Sequence, residues 1–301
     1  MNEEFEWLPE WVEETAALPR EARAPLYFDA RYDRFLAALE RNEIRAAIRG
    51  DDDVWRAIPW VKQGILLGFR FGRIVEMSPP VPRAERLSRS GGAVSMPEAP
   101  FQFFDKHTFP TQRFLLTDNV RIVPGGSTIR RGAYVSAGVV CMPPMFVNIG
   151  ANVGPATMID SHALVGSCAQ VGARVHLSAA AQIGGVLEPI NAVPVVIEDD
   201  VVVGGNCGVY EGTVVRAGAV LGAGVVLTRG TPVYDLVKET VHRATGDAPL
   251  EIPANAVVVP GARVVRGACG VQHGLSLQTP VIVKYRDEKT DRGAALEEAL
   301  R

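Results

Sequence analysis

The chain has 301 residues, a formal net charge of −3 and four cysteines without CxxC spacing. A length of this order suits one large or two modest domains. The small negative net charge argues against nucleic-acid binding as the main role. No run of apolar residues approaches the roughly 18 residues needed to span a membrane. The acidic first segment lacks the apolar centre of a signal peptide, so we expect a reduced, cytoplasmic protein that binds no membrane.

Residues 1–116 are predicted to form an N-terminal α/β domain. Apolar residues recur at three- and four-residue steps in segments 10–18 and 29–49, which predicts two amphipathic helices. Gly50, followed by three aspartates, is expected to end the second helix.

The second half of this domain is predicted to pass from a helix to a loop. Residues 55–75 are apolar enough for a buried helix that runs into a strand. The Pro-, Ser- and Arg-rich stretch 78–100 is predicted to be a mobile loop. The aromatic segment 101–113 is expected to pack against the domain that follows.

The central part of the chain repeats every six residues. Apolar residues occupy this step eleven times in succession and six times more after a break: Val123, Ile129, Val135, Cys141, Val147, Val153, Ile159, Val165, Val171, Leu177, Ile183, then Ile197, Val203, Val209, Val215, Leu221, Leu227. A period of six fits a short strand plus a corner, and three such sides make an 18-residue triangular coil. We therefore predict a parallel β-helix over residues 117–270, with the apolar steps pointing inward.

The residues beside the apolar step are also patterned. The next residue is often Gly, and we expect a corner with positive φ there, which Asn148 and Asp160 also tolerate. The fourth residue after the step is mostly small, which keeps the interior from overfilling. Cys141 and Cys207 are accordingly read as small core residues.

Two interruptions of the repeat predict projecting segments. Fourteen residues separate Ile183 from Ile197 in place of six or twelve, so two or eight surplus residues must project outward in a loop at 185–196. A second insertion occupies 229–252. Residues 271–301 are predicted to end the chain with a strand and a helix.

Eight segments carry a resemblance to a known family. They read WVKQGILLGFRF, FFDKHTFP, VRIVPGG, MFVNIGANV, TMIDSHALVGSCAQVG, VHLSAAAQIGGVLEPINAVPVVIEDD, VYEGTVV and IPANAVVVPG. In this order they resemble the tetrahydrodipicolinate N-succinyltransferases over roughly residues 55–300. Hexapeptide repeats alone indicate only a left-handed β-helix protein, typically an acyltransferase.

The resemblance implies a left-handed β-helix, a homotrimer and active sites between neighbouring subunits. It also implies succinyl transfer from succinyl-CoA, as co-substrate, to the amine of ring-opened tetrahydrodipicolinate in lysine and diaminopimelate biosynthesis. No metal is expected. The alternative is an N-acyltransferase of the same scaffold that uses acetyl-CoA or another amino-acid acceptor.

That alternative is motivated by departures from the family pattern. Gly154 and Pro155 stand where the family usually has an acidic residue, and His162 stands where it has Trp. Two alanines, 179–180, replace a Gly-Gly pair, and Gly208 replaces a Glu that can approach the substrate amine. The scaffold is unaffected by these changes, but the acyl group and the acceptor depend on them.

The resemblance assigns the main candidate site residues. Asp160 matches an Asp that contacts the substrate amine, and Arg121 matches an Arg that binds a substrate carboxylate, which guanidinium groups read bidentately. Without the resemblance, Asp160 would be a corner residue and Arg121 a surface cation. His162 is a candidate replacement in the substrate pocket, with a plain surface His as the alternative.

Two further carboxylates, Glu211 and Glu188, are candidates beside Asp160. Acyl transfer needs a carboxylate that holds or deprotonates the amine, and each Glu has the alternative of a solvated surface residue. From Ile159 to Val209 there are seven or eight hexads, neither a multiple of three. Asp160 and Glu211 are therefore predicted to lie on different sides of the prism and to share a site only between subunits.

The sequence contains only weak candidates for residues that bind CoA or a metal ion. Five basic residues are candidates for the CoA diphosphate only as a group: Arg229, Arg243, Arg263, Arg266 and Lys284. A solvated basic face is the alternative for each of them. His162 and His176 are spaced unlike a three-His zinc site between subunits, so a metal-dependent hydratase is disfavoured. A scaffold that has lost activity is the remaining alternative.

Overall fold

The computed structural model describes residues 3–78, 86–87, 93–94, 103–246 and 248–286. Most of the loop predicted at 78–100 and all of the helix predicted at the C-terminal end lie outside these residues.

The N-terminal part combines three helices with short antiparallel strand pairs. Its elements are a 3-10 turn (Glu3–Phe5), α1 (Leu8–Ala16), α2 (Phe28–Glu40), β1 (Ala47–Arg49), β2 (Trp55–Ala57), α3 (Pro59–Phe71), β3 (Ile74–Glu76), β4 (Arg86–Leu87), β5 (Ala93–Val94) and β6 (Phe104–Lys106). The pairs are β1–β2, β3–β6 and β4–β5. Phe28, Tyr32 and Phe35 project from α2 into an aromatic core that also holds Phe71 and Phe109.

The prediction of one helix over 29–49 is wrong in its second half, because the helix ends at Glu40. Asn42 takes a left-handed conformation with φ 59°, and the Glu43 N–H donates to the Ala38 carbonyl at 3.0 Å. This six-to-one bond is the Schellman closure of a helix. The chain then turns into β1, where Ala47 is buried in an extended strand.

The central part consists of two-residue strands at every hexad. They are β7 (Arg121–Ile122), β8 (Thr128–Ile129), β9 (Tyr134–Val135), β10 (Val140–Cys141), β11 (Phe146–Val147), β12 (Asn152–Val153), β13 (Met158–Ile159), β14 (Leu164–Val165), β15 (Gln170–Val171), β16 (His176–Leu177), β17 (Gln182–Ile183), β18 (Val196–Ile197), β19 (Val202–Val203), β20 (Gly208–Val209), β21 (Val214–Val215), β22 (Val220–Leu221) and β23 (Val226–Leu227). Every third strand pairs in parallel, which builds a left-handed β-helix with three flat faces.

We name the faces by their strands. Face 1 holds β7, β10, β13, β16, β19 and β22; face 2 holds β8, β11, β14, β17, β20 and β23; face 3 holds β9, β12, β15, β18 and β21. The 1–2, 2–3 and 3–1 edges are the corners between successive faces. Cys141, Ile159 and Leu177 are stacked partners on face 1 and are fully buried, as the hexad pattern predicted.

The first step of the ladder is displaced by one residue from the prediction. Ile122 pairs with Cys141, so Ile122 and not Val123 is in register with the inward column, although its side chain is 39% exposed. The turn that follows contains Gly125 and Gly126, both with positive φ, and holds one residue more than the other corners. The six-residue period of apolar residues does not reveal this extra residue, because Val123 is apolar like Ile122.

The expected positive φ directly after the inward residue is wrong. Left-handed residues instead occupy the third position after it, as at His162 (φ 63°) and Gly150 (φ 73°). Gly is favoured at the first position after the inward residue because the backbone of the next coil lies too close for a side chain. A Cβ on Gly154, for example, would lie 2.5 Å from the Gly172 carbonyl carbon. Close approach between coils, and not backbone handedness, therefore explains these glycines.

The break after Ile183 inserts eight residues. β17 lies on face 2 and β18 on face 3, so they are successive sides joined by an enlarged corner at the 2–3 edge. Of the two surpluses that the spacing allowed, eight is the correct one.

The last elements close the end of the β-helix. They are β24 (Val233–Asp235), β25 (Thr240–His242), β26 (Glu251–Ile252), β27 (Ala256–Val264), α4 (Ala268–Gln272) and β28 (Ser276–Tyr285). β26 extends face 3, and β27 extends face 1 and pairs with β28. Buried Asp235 accepts hydrogen bonds from the Tyr285 hydroxyl at 2.7 Å and the Val237 and Lys238 amides at 2.9 Å, which ties the second insertion to the final strand.

The close approach between coils predicts that two Gly→Ala substitutions differ in their effect on stability. A Cβ on Gly204 would meet the Ala223 nitrogen at 2.6 Å, whereas one on Gly267 meets nothing within 4 Å. Gly204→Ala should lower the free energy of unfolding by about 1–3 kcal/mol, since backbone must shift to make room. Thermal and urea unfolding measure the difference, with Gly267→Ala as the control; equal effects would contradict the close-approach explanation.

Candidate active site

Three candidate residues lie along face 1 and the 1–2 edge. Arg121 is the outward residue of β7, and Asp160 and His162 follow β13, two coils further along the same face. Neighbouring strands lie about 4.8 Å apart, so two coils separate them by about 10 Å along the axis. This places a cation and a carboxylate on the same side of the prism.

The geometry at the 1–2 edge leaves Asp160 accessible. Its Oδ1 accepts the Ser161 N–H at 2.7 Å, and the side chain is only half-buried. Exposed His162 follows in the left-handed conformation, with its N–H donating to the Pro144 carbonyl. The exposed Arg121 forms no ion pair with the described residues. Asp160 and Arg121 are therefore available to an amine and a carboxylate from outside the chain.

The other two candidates lie at the 2–3 edge. Glu211 follows β20 on face 2, has φ 52°, and accepts the Arg229 N–H at 2.9 Å through Oε2. Glu188 is exposed on the loop of the enlarged corner. β13 and β20 belong to different sheets, so the prediction that Asp160 and Glu211 lie on different sides is confirmed. Within one chain the two groups of candidates are not brought together.

Sequence reasoning missed the residue that holds this loop. Lys62 on α3 is fully buried, and its Nζ donates to the Pro189 carbonyl at 3.2 Å and the Ala192 carbonyl at 2.7 Å. Burial lowers the pKa of Lys62, and the Cys168 thiol lies beside it. The available signal was a lysine between Val61 and Ile65, both core residues. Lys62 therefore fixes the loop that carries Glu188 against the N-terminal helices.

The buried cysteines are not suited to covalent catalysis. Burial raises the pKa of Cys141 and of Cys168 to about 12, and it also raises that of Cys207. The thiolate is the reactive form of cysteine, so these groups stay protonated and unreactive.

The basic residues considered for CoA are spread over the C-terminal part. Arg229 lies at the last corner of the 2–3 edge, where its guanidinium donates to the Gly246 carbonyl. Arg263 lies on β27 and Arg266 just after it, at the far end of the β27–β28 hairpin, while Arg243 follows β25. These positions border several surfaces rather than one.

The described residues contain no group of three or more His, Cys, Asp or Glu side chains that could hold a metal ion. His162 lies on the 1–2 edge, and His176 lies on face 1 one coil further. Within the same residues, no helix has the length and apolar character needed to cross a membrane.

Two family profiles match the chain. One, described as Tetrahydrodipicolinate N-succinyltransferase N-terminal, matches residues 16–71. The other, described as Hexapeptide repeat of succinyl-transferase, matches residues 194–229.

Curated relatives match most of the chain. The 2,3,4,5-tetrahydropyridine-2,6-dicarboxylate N-succinyltransferase of Nitrobacter winogradskyi is 40% identical over 272 residues, 89% of this chain and 88% of the relative. The protein of the same name from Bradyrhizobium diazoefficiens is also 40% identical over 272 residues, with the same shares covered. The one from Polynucleobacter asymbioticus is 38% identical over 282 residues, 92% of this chain and 91% of the relative.

Removing the Lys62 ammonium should loosen the loop at residues 185–195. Lys62→Met leaves the Pro189 and Ala192 carbonyls without their donor, and a hydrogen bond to a charged group contributes about 1.5–3 kcal/mol. Amide hydrogen exchange in the loop should therefore accelerate about tenfold or more. Lys106→Met, which removes a single bond to the Gly72 carbonyl, is the matched control. A loop that exchanges no faster in Lys62→Met than in this control would contradict the assignment.

Proposed function

The chain belongs to the tetrahydrodipicolinate N-succinyltransferase family, and from this membership we propose that it transfers a succinyl group from succinyl-CoA to the amine of ring-opened tetrahydrodipicolinate. The observation that carries the proposal is the 40% identity over 89% of the chain to enzymes of that name. The reaction belongs to diaminopimelate and lysine biosynthesis. The enzyme is an acyltransferase on a hexapeptide-repeat scaffold.

The reaction makes a modest demand on the protein. The neutral amine attacks the thioester carbonyl, a C–N bond forms, the C–S bond breaks, and CoA leaves as a thiol. One proton must leave the amine, and the thiolate must gain one. A carboxylate that hydrogen-bonds the amine and accepts its proton can serve both steps, since proton transfer by a positioned group contributes typically 10²–10⁴-fold. No covalent intermediate on the protein is needed.

We assign these roles to residues on the two edges. Asp160 holds and deprotonates the amine, and Arg121 binds a carboxylate of the acceptor through its guanidinium. Glu211 and Glu188 approach the same substrate from the 2–3 edge of a second chain. His162 lies two residues after Asp160 at the same corner and contributes to acceptor binding. Exposed Arg121 and half-buried Asp160 lie on the same side of the prism, which supports this assignment.

The separation of the edges is the argument for an assembly. Because Asp160 and Glu211 face different sides of one prism, a site that uses both needs a second subunit. A closed ring of identical contacts joins the 1–2 edge of each chain to the 2–3 edge of the next. We propose a homotrimer of this kind, located in the cytoplasm, with three intersubunit sites.

Asp160→Asn should reduce kcat by about 10²–10⁴-fold, because the amide cannot accept the proton of the amine. Thiol release from succinyl-CoA with 2-aminopimelate as acceptor measures the effect. Asp51→Asn, at an exposed position of the N-terminal part, is the control and should retain full turnover. Unchanged turnover in Asp160→Asn would show that another residue accepts the proton of the amine.

A mixing experiment tests whether the site is shared between subunits. Asp160→Asn and Glu211→Gln chains, each inactive alone, are unfolded together and refolded at equal concentrations. In random trimers, three in four are mixed and each mixed trimer has one intact site in three, so about a quarter of the wild-type activity should return. Activity no greater than the sum of the two separate variants would exclude a shared site.

The acyl donor is tested by comparing succinyl-CoA with acetyl-CoA on the same acceptor. We expect kcat/KM to be higher for succinyl-CoA by at least about tenfold, which corresponds to about 1.4 kcal/mol of extra transition-state binding through the second carboxylate. A reversed preference would identify the chain as an N-acetyltransferase of the same scaffold, the outcome that Gly208 and His162 motivate. Equal values would contradict selectivity for succinyl-CoA.

A further inference from the structure

A cavity of about 430 Å³ lies at the 3–1 edge, between the N-terminal segment 42–55 and face 3. Its volume falls in the range of small-molecule sites, about 300–1,000 Å³. Face 1 separates this cavity from the 1–2 edge, so it is distinct from the proposed transfer site. The acyl-transfer mechanism leaves it without a role.

Specific hydrogen bonds hold the walls of this cavity in place. The Arg45 Nε donates to Gln170 Oε1 at 3.0 Å, which fixes the segment to β15. One coil earlier, Asn152 Nδ2 donates to Asn42 Oδ1 at 2.6 Å. At the other end, the Trp55 indole donates to Glu198 Oε1 at 2.9 Å. The cavity is therefore a built feature of the N-terminal part and face 3.

The acidic group in the wall, Glu198, is already satisfied. It is only 6% exposed, and it accepts hydrogen bonds from Trp55, from Arg216 Nη1 at 3.0 Å and from the Ala217 N–H at 3.0 Å. A buried carboxylate with three hydrogen-bond donors has a structural role. It is therefore not available to bind a charged ligand.

Arg45 differs, because it lines the cavity without a carboxylate partner among the described residues. Its one hydrogen bond uses Nε, so both Nη groups stay available. Burial lowers the pKa of this guanidinium, yet an arginine remains protonated at any physiological pH. Tyr134 lines the same cavity. A partly buried guanidinium fork without a carboxylate partner suits a carboxylate ligand.

The opposite wall carries a negative charge. Asp199 is half-exposed, and its Oδ1 accepts the Ala173 N–H at 2.9 Å. Its Oδ2 forms a long ion pair with the Arg174 guanidinium, at 3.7 Å. Arg174 makes its two short hydrogen bonds, at 2.7 Å, to Asp200, so Asp199 Oδ2 accepts no hydrogen bond from it.

The amides of Asn42 and Asn152 line the space as well. A second arginine, Arg49, also lines the cavity, but it is already ion-paired with Asp53 and Glu198. The cavity thus offers one cation without a carboxylate partner among the described residues, one anion and amide groups.

We propose that this cavity binds a free α-amino acid with a polar side chain, its carboxylate on Arg45 and its ammonium on Asp199. Such a ligand supplies the missing counter-charge of Arg45 and bridges the N-terminal segment to the coil. The site works in each chain by itself and is separate from acyl transfer.

Binding can be measured by calorimetry on the intact protein without acyl-CoA. The probes are L-glutamine, glutaric acid monoamide, which lacks the amino group, and 4-aminobutanamide, which lacks the carboxylate. We expect saturable binding of L-glutamine and affinities at least about tenfold lower for both analogues, since each loses one charged hydrogen-bonded contact. Absence of saturable binding, or equal affinity for the analogue without a carboxylate, would overturn the proposal.

Variants assign the binding to the two charged residues. Arg45→Met should abolish binding of L-glutamine and of the monoamide, Arg45→Lys should retain part of it, and Asp199→Asn should weaken only L-glutamine and 4-aminobutanamide. Arg34→Met, at an exposed ion pair with Glu4, is the matched control. Undiminished binding in Arg45→Met would also overturn the proposal. Because succinyl transfer is assayed separately on the same proteins, failure of this site is distinguishable from failure of the proposed activity.

Discussion

The structure depends on the parallel pairing of strands that lie one coil apart. Each two-residue strand turns one side chain inward, and the pairing stacks it on its equivalents above and below. Apolar burial of this column is the main driving force of the fold. Because each coil contacts only its neighbours, any insertion has to project from an edge. The repeat therefore confines apolar residues to the inward positions of the strands and leaves the outward positions and the edges for polar, functional residues.

The three edges have different surroundings. The N-terminal helices pack on the 2–3 edge, where Ile149 and Cys168 join their core. The same helices hold the enlarged corner through Lys62, and the segment that follows α2 covers part of face 3. The 1–2 edge, with Asp160 and His162, is thereby left for contacts outside the chain. A single chain thus presents incomplete groups of carboxylates, and the proposed trimer is the arrangement that joins them.

Lys62 and Arg45, two of the positively charged groups of the N-terminal part, have different surroundings. Lys62 is buried and fully used, since its donors meet two loop carbonyls. Arg45 is fixed by a single bond and keeps the rest of its guanidinium facing a cavity. Lys62 stabilises a loop because its ammonium is hydrogen-bonded to two carbonyls, whereas both Nη groups of Arg45 remain available to the proposed ligand. This contrast is the physical basis for assigning structure to one and binding to the other.

The sequence by itself determined the β-helix, its inward column and the different sides of Asp160 and Glu211, because a period of six residues sets both burial and face. It did not detect the extra residue beside Gly125, since Val123 is apolar like Ile122, nor the end of α2 at Glu40, where backbone closure overrides periodicity. The reason for the corner glycines lies in the tertiary structure, because the next coil creates the crowding. Lys62 and Arg45 meet their partners more than a hundred residues away. Only the tertiary structure decides such contacts, since no local pattern encodes which distant carbonyl or amide a charged side chain will reach.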